Sequence, residues 1–225
     1  MPQVIMITTP TILNVTVNCY LIKIDDGFIL IDTGLSNQRH LIEQALQNAG
    51  CQSGKLKRII LTHGDFDHSG NAAYLREKFQ TPVAMHRDDA GMVERGDMFW
   101  NRKSANWLVK TLTGLMFSLR AADRFKPDLL IDEGDDFSAL DFEAKIIALP
   151  GHSRGQIGVL TGDGDLFCGD LLANTKKPEV GSLVDDAAAM QASVKKLKGF
   201  TINTVYPGHG KPFPMRLFLE SQQGY

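Results

Sequence analysis

Residues 61–70 read LTHGDFDHSG, and within them two histidines and two aspartates fall between His63 and His68, directly after the apolar run RII. A soluble chain gains little by ending a strand in so many titratable groups unless they act together. Metal chemistry is the obvious use. It needs imidazoles and carboxylates converging from a rigid support, and strand exits aim side chains without disturbing a core.

Three later loops have the same character. LPGHS, residues 149–153, carries His152 after the run KIIAL; CGD, residues 168–170, carries Asp170; YPGHG, residues 206–210, carries His209. Four of the six histidines therefore stand at strand exits. Both Pro-Gly-His turns use a glycine where backbone can come close to a ligand. Any one of these histidines could be an ordinary core residue, but four such loops together point to one distributed metal site. The other two histidines read differently. His40 sits on a helix as a solvated side chain, whereas His86 ends the strand PVAMH and is open to a role near the site. Cys168 is expected to pack in the core.

The rest of the chain supplies a scaffold. QVIMIT, NCYLIKI and GFILID have strand composition, and DDG marks a hairpin between the last two. NQRHLIEQALQNAG is a helix stopped by Gly50. KRIILT is a buried strand, SGNAAYLREKF a helix begun by Ser69, PVAMH a strand and RDDAGMVERG a short helix. Strand patterns return in FEAKIIALP, QIGVLTG, GDLFCGD and NTVYPGHG, and VDDAAAMQASVKKLKGF is a helix with lysines toward its C-terminus. With no repeat or low-complexity linker, residues 1–225 read as one domain with hairpins at the start of each half. Residues 97–127 stand apart. Phe99, Trp100, Trp107, Leu108, Leu112, Leu115, Met116 and Leu119 recur at helical spacing, which predicts an amphipathic helix or helix pair inserted in the domain. It could pack on the domain's own surface, cover a substrate or form a homodimer contact.

Composition narrows the function. The 225 residues are 43% hydrophobic and 22% charged, ordinary for a globular core. A net charge of −2 and a pI near 6.3 offer no basic field for nucleic acid. Three cysteines without CxxC spacing suggest neither a disulfide framework nor a zinc knuckle. No secretory leader or apolar run of about 18 residues is visible, so the expectation is a cytoplasmic protein acting on a small molecule away from membranes.

The series IDTG, THGDFDHSGN, LPGHSRGQIGV, CGD and YPGHG, spread over residues 31–210, resembles the metallo-β-lactamase fold superfamily. The resemblance implies an α/β chain (α+β) folded as a four-layer αββα sandwich, with two divalent metal ions at one edge of the paired sheets. By the family pattern His63, the residue at 65 and His152 would hold one metal, Asp67, His68 and His209 the other, and Asp170 would bridge them. Asp32 would lie behind the ligands, orienting a histidine. The implied activity is that of a binuclear metallo-hydrolase, in which a metal-bound water or hydroxide attacks a small ester, thioester or lactone, with Asp67 and Asp170 as catalytic groups. Zinc is the implied metal. No GxSxG element suggests a serine nucleophile. The short stretch after His209 fits poorly with the C-terminal extension of glyoxalase II.

One position departs from the family signature HxHxDH. Here it reads HxDxDH, because Asp65 stands where a histidine is usual. A carboxylate is harder than imidazole and adds negative charge, which tilts selection toward iron or manganese and weakens the Lewis acid. Asp65 can ligate directly, act through water, or stand off; alternation along an extended segment favours direct ligation. An acid at this position also resembles the flavodiiron branch of the fold. An iron-dependent oxidoreductase is therefore the alternative, and a metal-stabilised binding domain without turnover is the third.

Overall fold

The structure, a computed structural model, describes residues 3–11, 15–103 and 118–222. Its first half opens with three antiparallel strands, β1 (Val4–Pro10), β2 (Thr16–Ile24) and β3 (Gly27–Ile31). Three parallel strands extend them, β4 (Leu56–Ile60), β5 (Val83–His86) and β6 (Leu129–Ile131), in the order β1-β2-β3-β4-β5-β6. Parallel pairing needs crossover connections. Helices α1 (Arg39–Asn48), α2 (Phe66–Ser69), α3 (Ala72–Phe79) and α4 (Arg87–Arg95) lie in those connections.

The second half repeats the scheme. Strands β7 (Asp136–Phe137), β8 (Phe142–Ala148), β9 (Ile157–Thr161) and β10 (Asp165–Gly169) pair antiparallel. A short hairpin of β11 (Leu172–Ala173) and β12 (Glu179–Val180) follows, then helix α5 (Ala187–Leu197). Strand β13 (Thr204–Pro207) pairs parallel with β10, and β14 (Phe213–Pro214) and helix α6 (Met215–Gln222) close the series.

Three apolar clusters show how the layers stack. Successive strand side chains face opposite ways, so Tyr20, Ile22 and Ile24 of β2 meet Phe142, Ala144 and Ile146 of β8 between the two sheets. The intervening Cys19 and Leu21 face outward onto Ile42 and Leu46 of α1 and Leu75 of α3. On the far side, Leu166 and Cys168 of β10 pack under Met190 and Leu197 of α5 and Phe218 of α6. Helix, sheet, sheet, helix is the resulting order, and Cys168 lies in the core as composition suggested.

Two expectations need correction. The exit of β4 is not wholly loop: Asp65, with φ −66° and ψ 147°, is the last extended residue before helix α2. Ser69 therefore ends α2, and Asn71 precedes α3. The helical reading of 97–127 also fails where it can be seen. Residues 98–103 are turn and bend, and 118–127 hold a bridge from Ser118 to Asp97 and a 3-10 turn, Ala121–Asp123. The centre of that stretch, 104–117, lies outside the described residues. Its start folds back on α4, where the Arg95 guanidinium stacks 3.8 Å from the Trp100 ring centroid and Gly91 leaves room for the indole. Trp100 thus packs onto a helix rather than lying in one.

Candidate metal centre

Loops leaving β4, β8, β10 and β13 deliver His63 to His68, His152, Asp170 and His209 to one edge of the paired sheets. Ligand atoms of His63, His152 and Asp170 lie within 4.8 Å of one another, as do those of Asp67, His68 and His209. Asp170 stands between the two triads: Oδ2 is 3.2 Å from His209 Nε2 and 3.9 Å from His152 Nε2, and Oδ1 is 3.3 Å from His68 Nε2.

Each imidazole is aimed from behind. His152 Nδ1 donates to Leu183 O at 2.7 Å and His209 Nδ1 to Thr16 O at 2.7 Å. A ring whose Nδ1 carries the hydrogen presents a lone pair at Nε2. His68 Nδ1 meets Asp32 Oδ2 at 2.8 Å, and His63 Nδ1 meets Thr62 Oγ1 at 3.0 Å. Asp32 also accepts from Thr62 N and Thr62 Oγ1, both at 2.8 Å. It holds that post with a left-handed backbone, φ 58°, which costs a non-glycine residue about 1–3 kcal/mol and marks a position the site demands.

Whether these residues fit a cation can be judged from what they leave unpaired. His63 Nε2, His68 Nε2 and Asp170 Oδ1 are buried and have no hydrogen-bond partner. Buried polar atoms left so are costly, and three of them along the edge shared by the two triads suit divalent ions. Backbone is kept close by Gly208, where a Cβ would stand 2.2 Å from Asp170 Oδ1 and 2.7 Å from His68 Cε1. Gly151, the other Pro-Gly-His glycine, faces elsewhere: a Cβ there would meet Met190 Cα of α5 at 2.4 Å, so that glycine serves helix packing.

Asp65 joins neither triad. Its Oδ1 accepts from Arg102 at 2.7 Å, and its Oδ2 points at the first triad, 3.1 Å from His152 Nε2 and 3.7 Å from His63 Nε2. Burial alone would raise its carboxyl, but the Arg102 guanidinium holds it well below the usual carboxylate range. Asp67 goes the other way, pushed up chiefly by burial. His86 is not part of the cluster: its Nδ1 accepts from Asp88 N at 3.2 Å, capping α4, and its Nε2 faces Asp132. His40 is exposed, as read from the sequence.

Sequence reasoning missed two residues with a part in the site. Arg102 was hidden in a stretch read for its apolar period. Asp89, fully buried on α4, accepts from Gly64 N at 3.2 Å, Ser153 Oγ at 2.6 Å and Gly155 N at 2.7 Å. It thus ties the His63 loop to the His152 loop. Its signal was an acid in register with Met92 and Val93 on the buried face of the helix.

Above the centre lies a cavity of about 750 Å³ bordered by Asp65, Asp67, Asp170 and His209 at its floor and by Val15, Phe66, Met98, Phe99, Val180 and Leu183 on its walls. No helix among the described residues is long and apolar enough to cross a membrane.

A family model for the metallo-beta-lactamase superfamily matches residues 13–209. The chain is 27% identical over 221 residues to the probable metallo-hydrolase YflN of Bacillus subtilis (strain 168), covering 89% of this chain and 83% of that one. It is 30% identical over 185 residues to the acyl-coenzyme A thioesterase MBLAC2 of Homo sapiens, covering 75% of this chain but only 60% of the thioesterase. Among solved structures, TTHA1623 in a di-iron-bound form is 28% identical and superposes with a TM-score of 0.72, covering 95% of this chain and 96% of the other. Fold, motif order and family match agree, and the chain belongs to the metallo-beta-lactamase superfamily.

Proposed function

We propose that the chain is a metal-dependent hydrolase of a small ester, thioester or lactone-like substrate. The observation that carries this reading is the pair of adjoining triads with inward, partnerless ligand atoms at the floor of an apolar-walled cavity. Two divalent cations bound there would supply Lewis acidity and an acidified water, the chemistry a carbonyl centre needs for hydrolysis near neutral pH.

The chain's own groups do the rest. Phe66, Met98, Phe99 and Leu183 can take an acyl group out of water. Asp67 Oδ2, 3.6 Å from His209 Nε2 and open to the cavity, is placed to hold a proton released in the reaction. Asp32, by fixing the His68 ring, keeps the geometry of the second triad. A thioester is favoured among these substrates by the wall chemistry and by the name of the human relative.

The test is turnover of acyl thioesters, simple esters and lactones by protein loaded separately with zinc, manganese and iron. His209→Ala should lose the Asp67–His68–His209 metal and most turnover. Full activity in that variant, or no hydrolysis of any panel member at full metal occupancy, would sink the reading. A second reading, an iron-dependent oxidoreductase, draws support from the acid at Asp65 and from the di-iron form of TTHA1623. Oxygen uptake by iron-loaded protein with a thiol or reductant, without hydrolysis, would select it.

A further inference from the structure

Asp65 brings a carboxylate to the first triad, and Arg102 brings a guanidinium to Asp65. Both side chains are buried, 3% and 7% exposed. Arg102 is not there by chance of a flexible side chain, because both neighbouring residues are held, Asn101 through its side chain and Lys103 through its backbone N–H and its side chain. Asn101 Oδ1 accepts from Arg154 Nη1 at 2.9 Å, Lys103 N donates to Asp185 Oδ1 at 2.6 Å, and Lys103 Nζ pairs with Asp186 Oδ2 at 2.8 Å. Those anchors sit on the loop after His152 and on the segment entering α5. The same Arg102 Nη2 lies 3.4 Å from His152 Nε2, so its positive charge is felt directly at the first triad.

Charge is what the pairing changes. Asp32, Asp65, Asp67 and Asp170, with Asp89 tying the two loops behind them, bring five carboxylates to the centre, one more than two divalent cations would cancel. Arg102 supplies the balancing positive charge. The Asp65–Arg102 pair is neutral as a whole, as an imidazole would be.

We propose that Arg102 is a positioning residue that offsets the charge of Asp65, making the acid a weak donor to the first triad and thereby holding down its preference for hard cations. The inference rests on the reading of this cluster as a metal centre. A purely structural Arg102 predicts that its loss loosens Asp65 and weakens metal binding. Charge offset predicts the opposite sign, because Asp65 keeps its other contacts without Arg102: its carbonyl accepts from His68 N, Ser69 N and Ser69 Oγ at 2.9–3.0 Å, and its Oδ2 lies 3.1 Å from His152 Nε2.

The experiment titrates Zn²⁺ and Mn²⁺ into metal-free wild type, Arg102→Met, Arg102→Lys, Asp65→His and the Asp65→His/Arg102→Met double variant, competing against a chromophoric chelator. Circular dichroism and the melting temperature of each metal-free protein report on folding. Arg102→Met should tighten Mn²⁺ by roughly 10- to 100-fold, the size of effect typical of groups behind metal ligands, and Zn²⁺ by less. Arg102→Lys should stay near wild type. Asp65→His should bind both ions more weakly, because it leaves an unpaired guanidinium beside the first triad, and the double variant should recover that loss. Equal or weaker Mn²⁺ binding by a folded Arg102→Met overturns the inference, as does a double variant no better than Asp65→His. The latter comparison decides the matter if Arg102→Met does not fold. Failure of wild type to take up either ion would overturn both this inference and the metal-centre reading. Metal behaviour as described, without turnover of any ester or thioester, supports the inference and removes only the hydrolase reading.

Discussion

Replacing Asp89 by alanine should separate the two loops that carry His63 and His152. The carboxylate accepts from two buried backbone N–H groups, Gly64 and Gly155, and from the Ser153 hydroxyl. The hydroxyl can rotate to another partner, but the two N–H groups cannot. Leaving a buried donor unsatisfied costs about 1–3 kcal/mol, so the pair should cost about 2–6 kcal/mol. A chain of this size loses about 2–4 °C of melting temperature per kcal/mol, which places the midpoint of the expected drop at about 12 °C. Asp89→Asn keeps one acceptor oxygen and turns an NH₂ toward a donor, so it should fall between wild type and Asp89→Ala. The assay is thermal unfolding of metal-free protein followed by circular dichroism, with metal content measured on the loaded protein. Asp89→Ala should also hold less metal at the first triad. A melting temperature within about 2 °C of wild type, with a full complement of metal, would refute the claim that Asp89 ties the loops.

Three further outcomes follow from the geometry. Asp32→Ala should weaken metal binding by roughly 10- to 100-fold in a calorimetric titration, because the His68 ring loses its carboxylate partner; unchanged affinity would show that the ring is aimed by packing alone. Gly208→Ala places a methyl group against Asp170 Oδ1 and should lower metal stoichiometry while leaving the far-ultraviolet spectrum native. Asp128 accepts from Val83 N at 2.9 Å and from both Arg76 Nε and Nη2; burial opposes these partners, yet the carboxyl is held below its ordinary value. A depressed folded value contributes stability that is present above the unfolded value near pH 4 and lost as pH falls through the folded one. Asp128→Asn should therefore flatten the acid limb of denaturant stability below about pH 4, and an acid limb identical to wild type would contradict this.

Much of the molecule was legible in the sequence for local reasons. The apolar run of β2, the alternating burial that opens β8, the DDG turn and the Pro-Gly-His loops are short-range signals, and each led to its element. The cluster residues could be grouped because four strand exits bearing histidines and acids serve little purpose in one chain unless they converge. What stayed hidden depends on contacts distant in the chain. Arg102 reaches Asp65 across 37 residues, and Asp89 reaches Gly155 across 66. Neither carries a local mark, since an arginine among apolar neighbours and an acid in a short helix are common on any surface. Helix α2 was missed because it has only four residues, too few to show a period. At Trp100 the apolar spacing misled, because that side chain stacks with Arg95 of α4 from a turn rather than from a helix of its own.

The last loop has a temporal consequence. Strand β2, made early, grips it through Tyr20 Oη to Pro207 O at 2.6 Å, Asn18 Nδ2 to Gly210 O at 2.6 Å, and Thr16 O to His209 Nδ1 at 2.7 Å. During synthesis the first sheet can emerge and pair while those partners are still unmade. His63 and His68 then wait on a half-built edge until residue 209 leaves the ribosome. Only after that are both triads complete, so metal capture at the second of them would register translation through His209. A nascent chain arrested shortly before that loop should remain open to proteases that the finished protein resists.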